Sequence, residues 1–280
     1  MNRLQPGIHC LRRPQYPARW YSVPRKQLAS PTSRLSLVPG TMCDNRLWKR
    51  MLPVFAKGNI LVAQVPLWKA VDKSSMRQMI THSTYNEGLQ DQNLPLDVLG
   101  FSMGGYLALD HYFRTLENAN NNSQQSNIRS LIIVCSSARG LGPKERARRT
   151  QMLDLMSKHA YAGISPSRIA KFVKPGLVDS PQVGGLIAAM DKDLGKQVLL
   201  AQFSSTLDRE NLMDRLTEIR IPVLIVGAER DQMVDSKDLY LMHERIKGSR
   251  LVMFKDAGHM VALEAPERLA SIVLEFVSGL

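Results

Sequence analysis

The residues of this chain that could do chemistry begin with Ser102, in the sequence GFSMG. An apolar run, Leu96–Phe101, leads into the serine, and a helical pattern follows it. A strand that turns directly into a helix strains the turn residue, so its neighbours two positions away must lack bulk. Gly100 and Gly104 meet that need. The pattern predicts a serine hydroxyl raised above the carboxyl end of a sheet, where open α/β sheets bind ligands.

A serine hydroxyl is a weak nucleophile without a base, and His259 is the best candidate for that base. Among the six histidines, it alone follows a short apolar run, 251–254, in a loop (KDAGHM) that directly precedes a helical segment. The others lie in the N-terminal leader or at predicted helices, where surface or packing roles are commoner. A loop at the carboxyl end of a late strand would bring His259 beside Ser102.

The acid that would orient the histidine is assigned to Asp231, in the sequence GAERDQMV after the apolar run 221–226. Glu229 is its rival, and Asp231 could instead cap the helical segment that follows. The order Ser102, Asp231, His259 along the chain agrees with the nucleophile, acid and base order typical of this strand–turn–helix motif. Together these residues predict nucleophilic attack on a carbonyl group.

Attack on a carbonyl builds negative charge on its oxygen, which two fixed backbone N–H groups can stabilise. One donor is expected to be Met103, directly after the nucleophile. The second is expected in the loop PGTM after the apolar run 35–38, at Thr41 with Met42 behind it. Gly40 would let this loop approach closely. A plain connecting loop is the alternative interpretation of that segment.

Six short apolar runs, mostly without alternating polarity, would position these residues. Such runs are typical of parallel strands buried on both faces. The runs are 35–38, 60–65, 96–101, 131–135, 221–226 and 251–254. Helical segments are predicted at 43–52, 74–82, 104–117, 235–247 and 264–278. Strands that alternate with helices predict an α/β fold with a mostly parallel central sheet, covered by helices on both faces.

The residue composition and the pattern of apolar runs divide the chain into a leader, a core and an insertion. Residues 1–34 are basic and rich in proline, which favours a disordered leader over an organellar transit peptide. Residues 35–135 and 221–280 form the predicted core, and residues 136–220 a helical insertion that we call the cap. The polar stretch 118–127 is interpreted as a loop. A cytoplasmic location is expected, with organellar import as the alternative.

Composition excludes several classes of function. The net charge is +12, but residues 1–43 hold seven basic and no acidic residues, so 30 basic and 25 acidic residues remain elsewhere. No basic stripe interleaved with aromatic residues indicates nucleic-acid binding. No apolar run is long enough to span a membrane. The three cysteines show no metal-binding spacing, and Cys43 and Cys135 are expected to be buried rather than reactive.

Four segments of the chain resemble the α/β-hydrolase family. They are LVPGTMCDNRLW at 37–48, LGFSMGG at 99–105, PVLIVGAERDQMV at 222–234 and AGHMVALEAPERL at 257–269. Together they frame nearly all of residues 35–280. The last segment is similar to the histidine loop of small bacterial esterase-like members, including carrier-protein ester hydrolases and enol-lactonases. The resemblance implies a catalytic triad of Ser102, Asp231 and His259 beneath a helical cap.

The sequence departs from the family pattern in three places. Many members carry His-Gly where this chain has Pro39 and Gly40, which keeps a backbone donor but removes the histidine. The family acid often lies three residues after its glycine, whereas Asp231 lies four after Gly227 and Arg230 takes the commoner position. The family usually has two further strands at the start, which the proline-rich leader is unsuited to supply.

The predicted reaction is hydrolysis of a small-molecule carboxylic ester or thioester through an acyl-enzyme on Ser102, with no metal or cofactor. Arg139, at the start of the cap, is a candidate for substrate binding, and a solvated loop arginine is the alternative. C–C bond hydrolysis or a lyase step on the same scaffold is a second hypothesis. A non-catalytic binding module is the third, since a fold alone does not define function. The oligomeric state is left open.

Overall fold

The computed structural model describes residues 31–85, 94–122 and 127–280, and most of the leader lies outside these ranges. Six parallel strands form one sheet in the order β2-β1-β3-β4-β5-β6. The strands are β1 (Ser33–Val38), β2 (Ile60–Gln64), β3 (Leu96–Phe101), β4 (Ile128–Val134), β5 (Val223–Ala228) and β6 (Arg250–Phe254). Each apolar run of the sequence contributes one strand, which confirms the predicted α/β class.

Helices connect the strands and cover both faces of the sheet. They are α1 (Leu52–Lys57), α2 (Lys73–Tyr85), α3 (Met103–Asn122), α4 (Pro143–Lys158), α5 (Pro166–Ile169), α6 (Gly184–Ser205), α7 (Ser236–Arg245), α8 (Val261–Glu264) and α9 (Pro266–Ser278). Short 3-10 helices lie at Asn45–Trp48, Leu67–Lys69 and Asp214–Glu218. None of the helices in the described part of the chain is long and apolar enough to cross a membrane.

Two predicted helices and one predicted loop differ from the structure. The helix expected at 43–52 is a 3-10 helix capped by Asp44, and α1 begins only where a proline can occupy its first turn. The segment 264–278 is preceded by α8, and the helix breaks at Ala265, because a residue before proline disfavours helical geometry. The expected loop 118–127 is helical as far as Asn122, and 123–126 lie outside the described residues.

The sheet is buried between two apolar layers. Alternate residues of β4 belong to different layers: Ile132 and Val134 pack toward α9, whereas Leu131 and Ile133 pack toward α3. Both faces of the central strands are therefore apolar, which explains runs without alternating polarity. Because the centre of the sheet is tightly packed, the carboxyl ends of its strands are held in fixed positions.

The cap connects β4 to β5 and consists of α4, α5, α6 and a 3-10 helix, with no strand among these residues. Its helices differ in how much apolar surface they bury. Helix α4 has no buried residue, whereas α6 buries Ile187, Met190 and Leu199. Helix α6 bends at Gly195, which has a φ of 70°. The cap meets the core through α6 and through the connection between α5 and α6.

Candidate active site

The backbone around Ser102 is strained, as the sharp turn requires. Ser102 lies between β3 and α3 with a φ of 53°, in the left-handed region that favours glycine. A Cβ added at Gly100 would lie 2.4 Å from the carbonyl oxygen of Gly104. A Cβ added at Gly104 would lie 2.2 Å from the carbonyl oxygen of Val38. Both glycines are therefore required for the turn that presents the serine.

Three side chains from distant parts of the chain meet at the carboxyl edge of the sheet. His259 Nε2 lies 2.9 Å from Ser102 Oγ, and His259 Nδ1 lies 2.8 Å from Asp231 Oδ2. The side chains of His259 and Asp231 are 5% and 2% exposed. With Nδ1–H donating to the carboxylate, Nε2 accepts from the serine hydroxyl. This relay can take a proton from Ser102 when the hydroxyl attacks.

The second oxygen of Asp231 fixes the carboxylate. Asp231 Oδ1 accepts hydrogen bonds from the backbone N–H groups of Met233 at 2.7 Å and Val234 at 3.0 Å. The next aspartate, Asp235, caps α7, so Asp231 has no capping role there. The rival Glu229 is exposed at the end of β5. The structure thus joins Asp231, and not Glu229, to the histidine.

The oxyanion-hole candidates flank the serine. Gly40 approaches so closely that an added Cβ would lie 3.2 Å from Ser102 Cβ. Met103 is the first residue of α3, so its N–H has no carbonyl one turn earlier in the helix to bond. The Thr41 hydroxyl donates to Met103 Sδ at 3.5 Å, so the side chains of the two candidate residues are in contact. That the N–H groups of Met103 and Thr41 form an oxyanion hole stays a prediction.

Gln202, on α6 of the cap, contacts the same loop and was not identified from the sequence. Its Oε1 accepts the N–H of Met42 at 2.8 Å, so that N–H is occupied. Met42 has a φ of 53°, and the hydrogen bond holds this strained conformation. Gln202 is fully buried, and its Nε2 has no partner among the described residues. The one sequence signal was a glutamine within an apolar helical stretch.

Arg139 takes a different role from the one predicted. Its guanidinium forms an ion pair with Asp238, near the start of α7, and the residue is exposed. Ser137 also donates to this carboxylate, at 2.7 Å. In the described ranges no hydrogen bond or ion pair joins Arg139 to the serine, aspartate or histidine of the site. The structure does not bring Arg139 into the constellation around Ser102.

Two cysteines lie near the site and both are buried. Burial, with the charges of Asp231 and Glu264, holds the pKa of the Cys135 thiol well above its ordinary value. Burial also raises the pKa of the Cys43 thiol to about 12. Potential metal-ligating atoms of Cys135, Asp231 and His259 lie within 4.8 Å of one another. His259 and Asp231 bond each other, so two of these three groups are already engaged within the Ser102 site.

Comparison with known proteins identifies a family and several relatives. A model of the alpha/beta hydrolase family matches residues 37–272. Pimeloyl-[acyl-carrier protein] methyl ester esterase from Neisseria meningitidis is 28% identical over 190 residues, covering 66% of this chain and 70% of the relative. Monoacylglycerol lipase ABHD6 from Rattus norvegicus is 20% identical over 220 residues, covering 74% of this chain and 62% of the relative.

Solved structures share the fold at low sequence identity. A thermophilic esterase from Thermogutta terrifontis superposes with a TM-score of 0.74 at 19% identity, covering 89% of this chain and 91% of that chain. MenH from S. aureus superposes with a TM-score of 0.71 at 17% identity, covering 93% and 97%. At these identities, the likeness shows a common fold and leaves the chemistry to be argued from the site.

Proposed function

This chain belongs to the α/β-hydrolase family, and we propose that it hydrolyses carboxylic esters through an acyl-enzyme on Ser102. One observation carries the proposal: the hydrogen-bonded line from Ser102 through His259 to Asp231, with distances of 2.9 Å and 2.8 Å. The imidazole and the carboxylate are buried, which strengthens their interaction. No metal or cofactor is needed for this chemistry.

In the first step, Ser102 Oγ attacks the ester carbonyl carbon while His259 Nε2 takes the hydroxyl proton. Asp231 holds the imidazole in the Nδ1–H tautomer and stabilises its positive form. The carbonyl oxygen becomes an oxyanion, which the N–H groups of Met103 and Thr41 stabilise. As the tetrahedral intermediate collapses, the C–O bond to the alcohol breaks and His259 gives its proton to the leaving oxygen.

In the second step, water replaces the alcohol. His259 takes a proton from the water, whose oxygen attacks the acyl carbon. The same two backbone donors stabilise the second oxyanion. The bond from Ser102 Oγ to the acyl carbon then breaks, the serine oxygen regains the proton from His259, and a carboxylic acid leaves. The cycle restores the enzyme without any external reductant, oxidant or metal.

The names of the relatives narrow the substrate class. One is an esterase for a methyl ester of a carrier-protein-bound acyl group, and the other is a lipase for monoacylglycerols. Both cleave carboxylic esters, which favours an oxygen ester over a thioester or a C–C bond for this chain. We propose that residues 35–135 and 221–280 form the catalytic core and that 136–220 form the cap that selects the acyl group. The cytoplasmic location stays a prediction.

A series of p-nitrophenyl esters with increasing acyl length tests the proposal. The wild-type protein is expected to release nitrophenol, and Ser102→Ala is expected to lose this activity while remaining folded by circular dichroism. A vinylogous diketone, which is a substrate for C–C hydrolysis, serves as the alternative substrate. Turnover of the diketone with no release from any ester would contradict the proposal and support the second hypothesis. Equal ester hydrolysis by Ser102→Ala would also contradict it.

A further inference from the structure

Glu264 belongs to the histidine-loop segment of the sequence, yet the reaction described above does not use it. Its carboxylate accepts the backbone N–H of Gly258, with 3.0 Å to each oxygen. The same carboxylate accepts the backbone N–H of Lys174, with 3.0 Å to Oε2. Gly258 directly precedes His259, and Lys174 lies in the cap between α5 and α6. One side chain therefore joins the cap to the loop that carries the histidine.

A second contact joins the same two segments on the other side of His259. The N–H of Met260 donates to the carbonyl oxygen of Phe172 at 3.0 Å. The Phe172 ring lies 6.0 Å from the imidazole, between ring centroids. A Cβ added at Gly258 would lie 2.8 Å from the carbonyl carbon of Val173. The residues directly before and after His259 are thus both linked by hydrogen bonds to the cap segment 172–174, Gly258 through Glu264 and Met260 directly.

We propose that Glu264 is a positioning residue for His259, which ties the imidazole to the cap segment 172–174. The kinetic part of this inference rests on the proposed ester hydrolysis. A carboxylate suits the position because it has two oxygens that accept hydrogen bonds and no donor. A hydrogen bond to a charged acceptor is also stronger than one to a neutral acceptor. A neutral amide in its place would turn an N–H group toward one of the two backbone N–H groups.

Several charged or titratable groups face Glu264. They are Lys174 from the cap, His259 from its own loop and Cys135 from the end of β4. The Lys174 ammonium pairs with Asp256 at 3.0 Å. Burial raises the pKa of Glu264 above its ordinary value, although the hydrogen bonds from Gly258 and Lys174 oppose that rise. As pH falls through this raised pKa, the carboxylate is protonated and the tie weakens.

The kinetic test compares Glu264→Gln with the wild-type protein across pH. We expect kcat of the variant to fall by about tenfold to a hundredfold at neutral pH with KM little changed, because a displaced imidazole slows the chemical step. The ratio of the two kcat values should shrink toward one as pH falls, since wild-type Glu264 then becomes neutral as well. A role limited to folding would leave this ratio constant.

A matched control is Glu267→Gln, since Glu267 lies on α9 and its carboxylate forms an exposed ion pair with Arg50. Its kcat should equal that of the wild type at every pH. Equal kcat values for Glu264→Gln and the wild type, or a ratio that does not change with pH, would overturn the inference. An inert wild-type protein would contradict the proposed function instead. The next measurement would then test only the hydrogen bonds that Glu264 accepts from Gly258 and Lys174.

That measurement needs no turnover and no folded variant. The backbone amide signals of Gly258 and Lys174 are followed by NMR in the wild-type protein as pH is lowered. Because both N–H groups bond one carboxylate, we expect them to titrate with the same midpoint, above the ordinary value for glutamate. In Glu264→Gln, where it folds, neither signal should titrate in this range. Different midpoints, or no titration of either amide in the wild type, would contradict the tie.

Discussion

The two sides of the active site are built in different ways. On the core side, each chemical group follows its own strand, and the carboxyl edge of the sheet brings Ser102, Asp231 and His259 together. On the cap side, apolar packing is combined with hydrogen bonds to individual loops, such as that from Met42 to Gln202. The reacting groups are placed by the rigid sheet, whereas the cap adjusts the loops that carry them.

The largest expected effect is on the core side, at the acid. Asp231→Asn keeps the size of the side chain but removes the charge that holds the Nδ1–H tautomer of His259. We expect kcat for ester hydrolysis to fall by about 10⁴-fold, as known for this change in serine triads. The matched control is Glu229→Gln, two residues earlier and exposed. A larger loss in the control than in Asp231→Asn would reverse the assignment of the acid.

The next effect concerns backbone packing beneath the serine. Gly104→Ala places a methyl group against the carbonyl oxygen of Val38, which is backbone of a central strand and cannot move away. We expect the free energy of unfolding to fall by about 3 kcal/mol, measured by urea denaturation. In the cap, Gly185→Ala meets nothing closer than 3.4 Å, so we expect no loss there. Equal destabilisation at both sites would remove the contrast between core and cap.

A smaller effect is expected where the cap forms a hydrogen bond with the loop 39–42. Gln202→Met keeps the length of the side chain but removes the acceptor for the Met42 N–H. Met42 can then leave its strained φ and shift the neighbouring Thr41 N–H, so kcat should fall by about tenfold. Gln197→Met, on the exposed face of α6, is the control and should leave kcat unchanged. An unchanged kcat in Gln202→Met would show that the core holds this loop without the cap.

The smallest effect is expected on the cap surface. Leu155 on α4 is 50% exposed, whereas Leu199 on α6 is 8% exposed. Leu155→Ala should change the free energy of unfolding by less than about 0.5 kcal/mol. Leu199→Ala should lower it by about 2 to 3 kcal/mol, because it leaves a cavity. Thermal or urea denaturation of the two variants measures both free energies of unfolding. An equal decrease in Leu155→Ala and Leu199→Ala would contradict the exposed position of Leu155 on α4.

The same contrast explains how much could be predicted from the sequence. The central strands are buried on both faces, and the edge strands β2 and β6 are partly buried but still apolar. The six apolar runs therefore located the strands, and the residues after them could be assigned to one edge. The glycines around Ser102 also carry a local steric signature. The helix expected at 43–52 was wrong because Asp44 stabilises a 3-10 turn and the α-helix begins later, near a proline.

Contacts between distant segments left no such signature. Gln202 meets Met42 across 160 residues, and Glu264 meets Lys174 across 90. Arg139 was assigned to the substrate because it follows a strand, but its partner Asp238 lies 99 residues later. A polar side chain in sequence does not show which distant group will bond it. The site residues could therefore be predicted from the ends of the strands. The contacts between the cap and the core could be identified only from the three-dimensional structure.

Whether Ser102 is the nucleophile is tested most directly by covalent labelling with a fluorophosphonate probe, followed by mass spectrometry of the peptides. We expect an adduct on Ser102 in the wild-type protein and no adduct at this position in Ser102→Ala. Labelling of His259→Ala should be slower by about 10³-fold or more, because the base that activates the serine is gone. A folded wild-type protein without an adduct on Ser102, or one labelled no faster than His259→Ala, would show that Ser102 is not a nucleophile activated by His259.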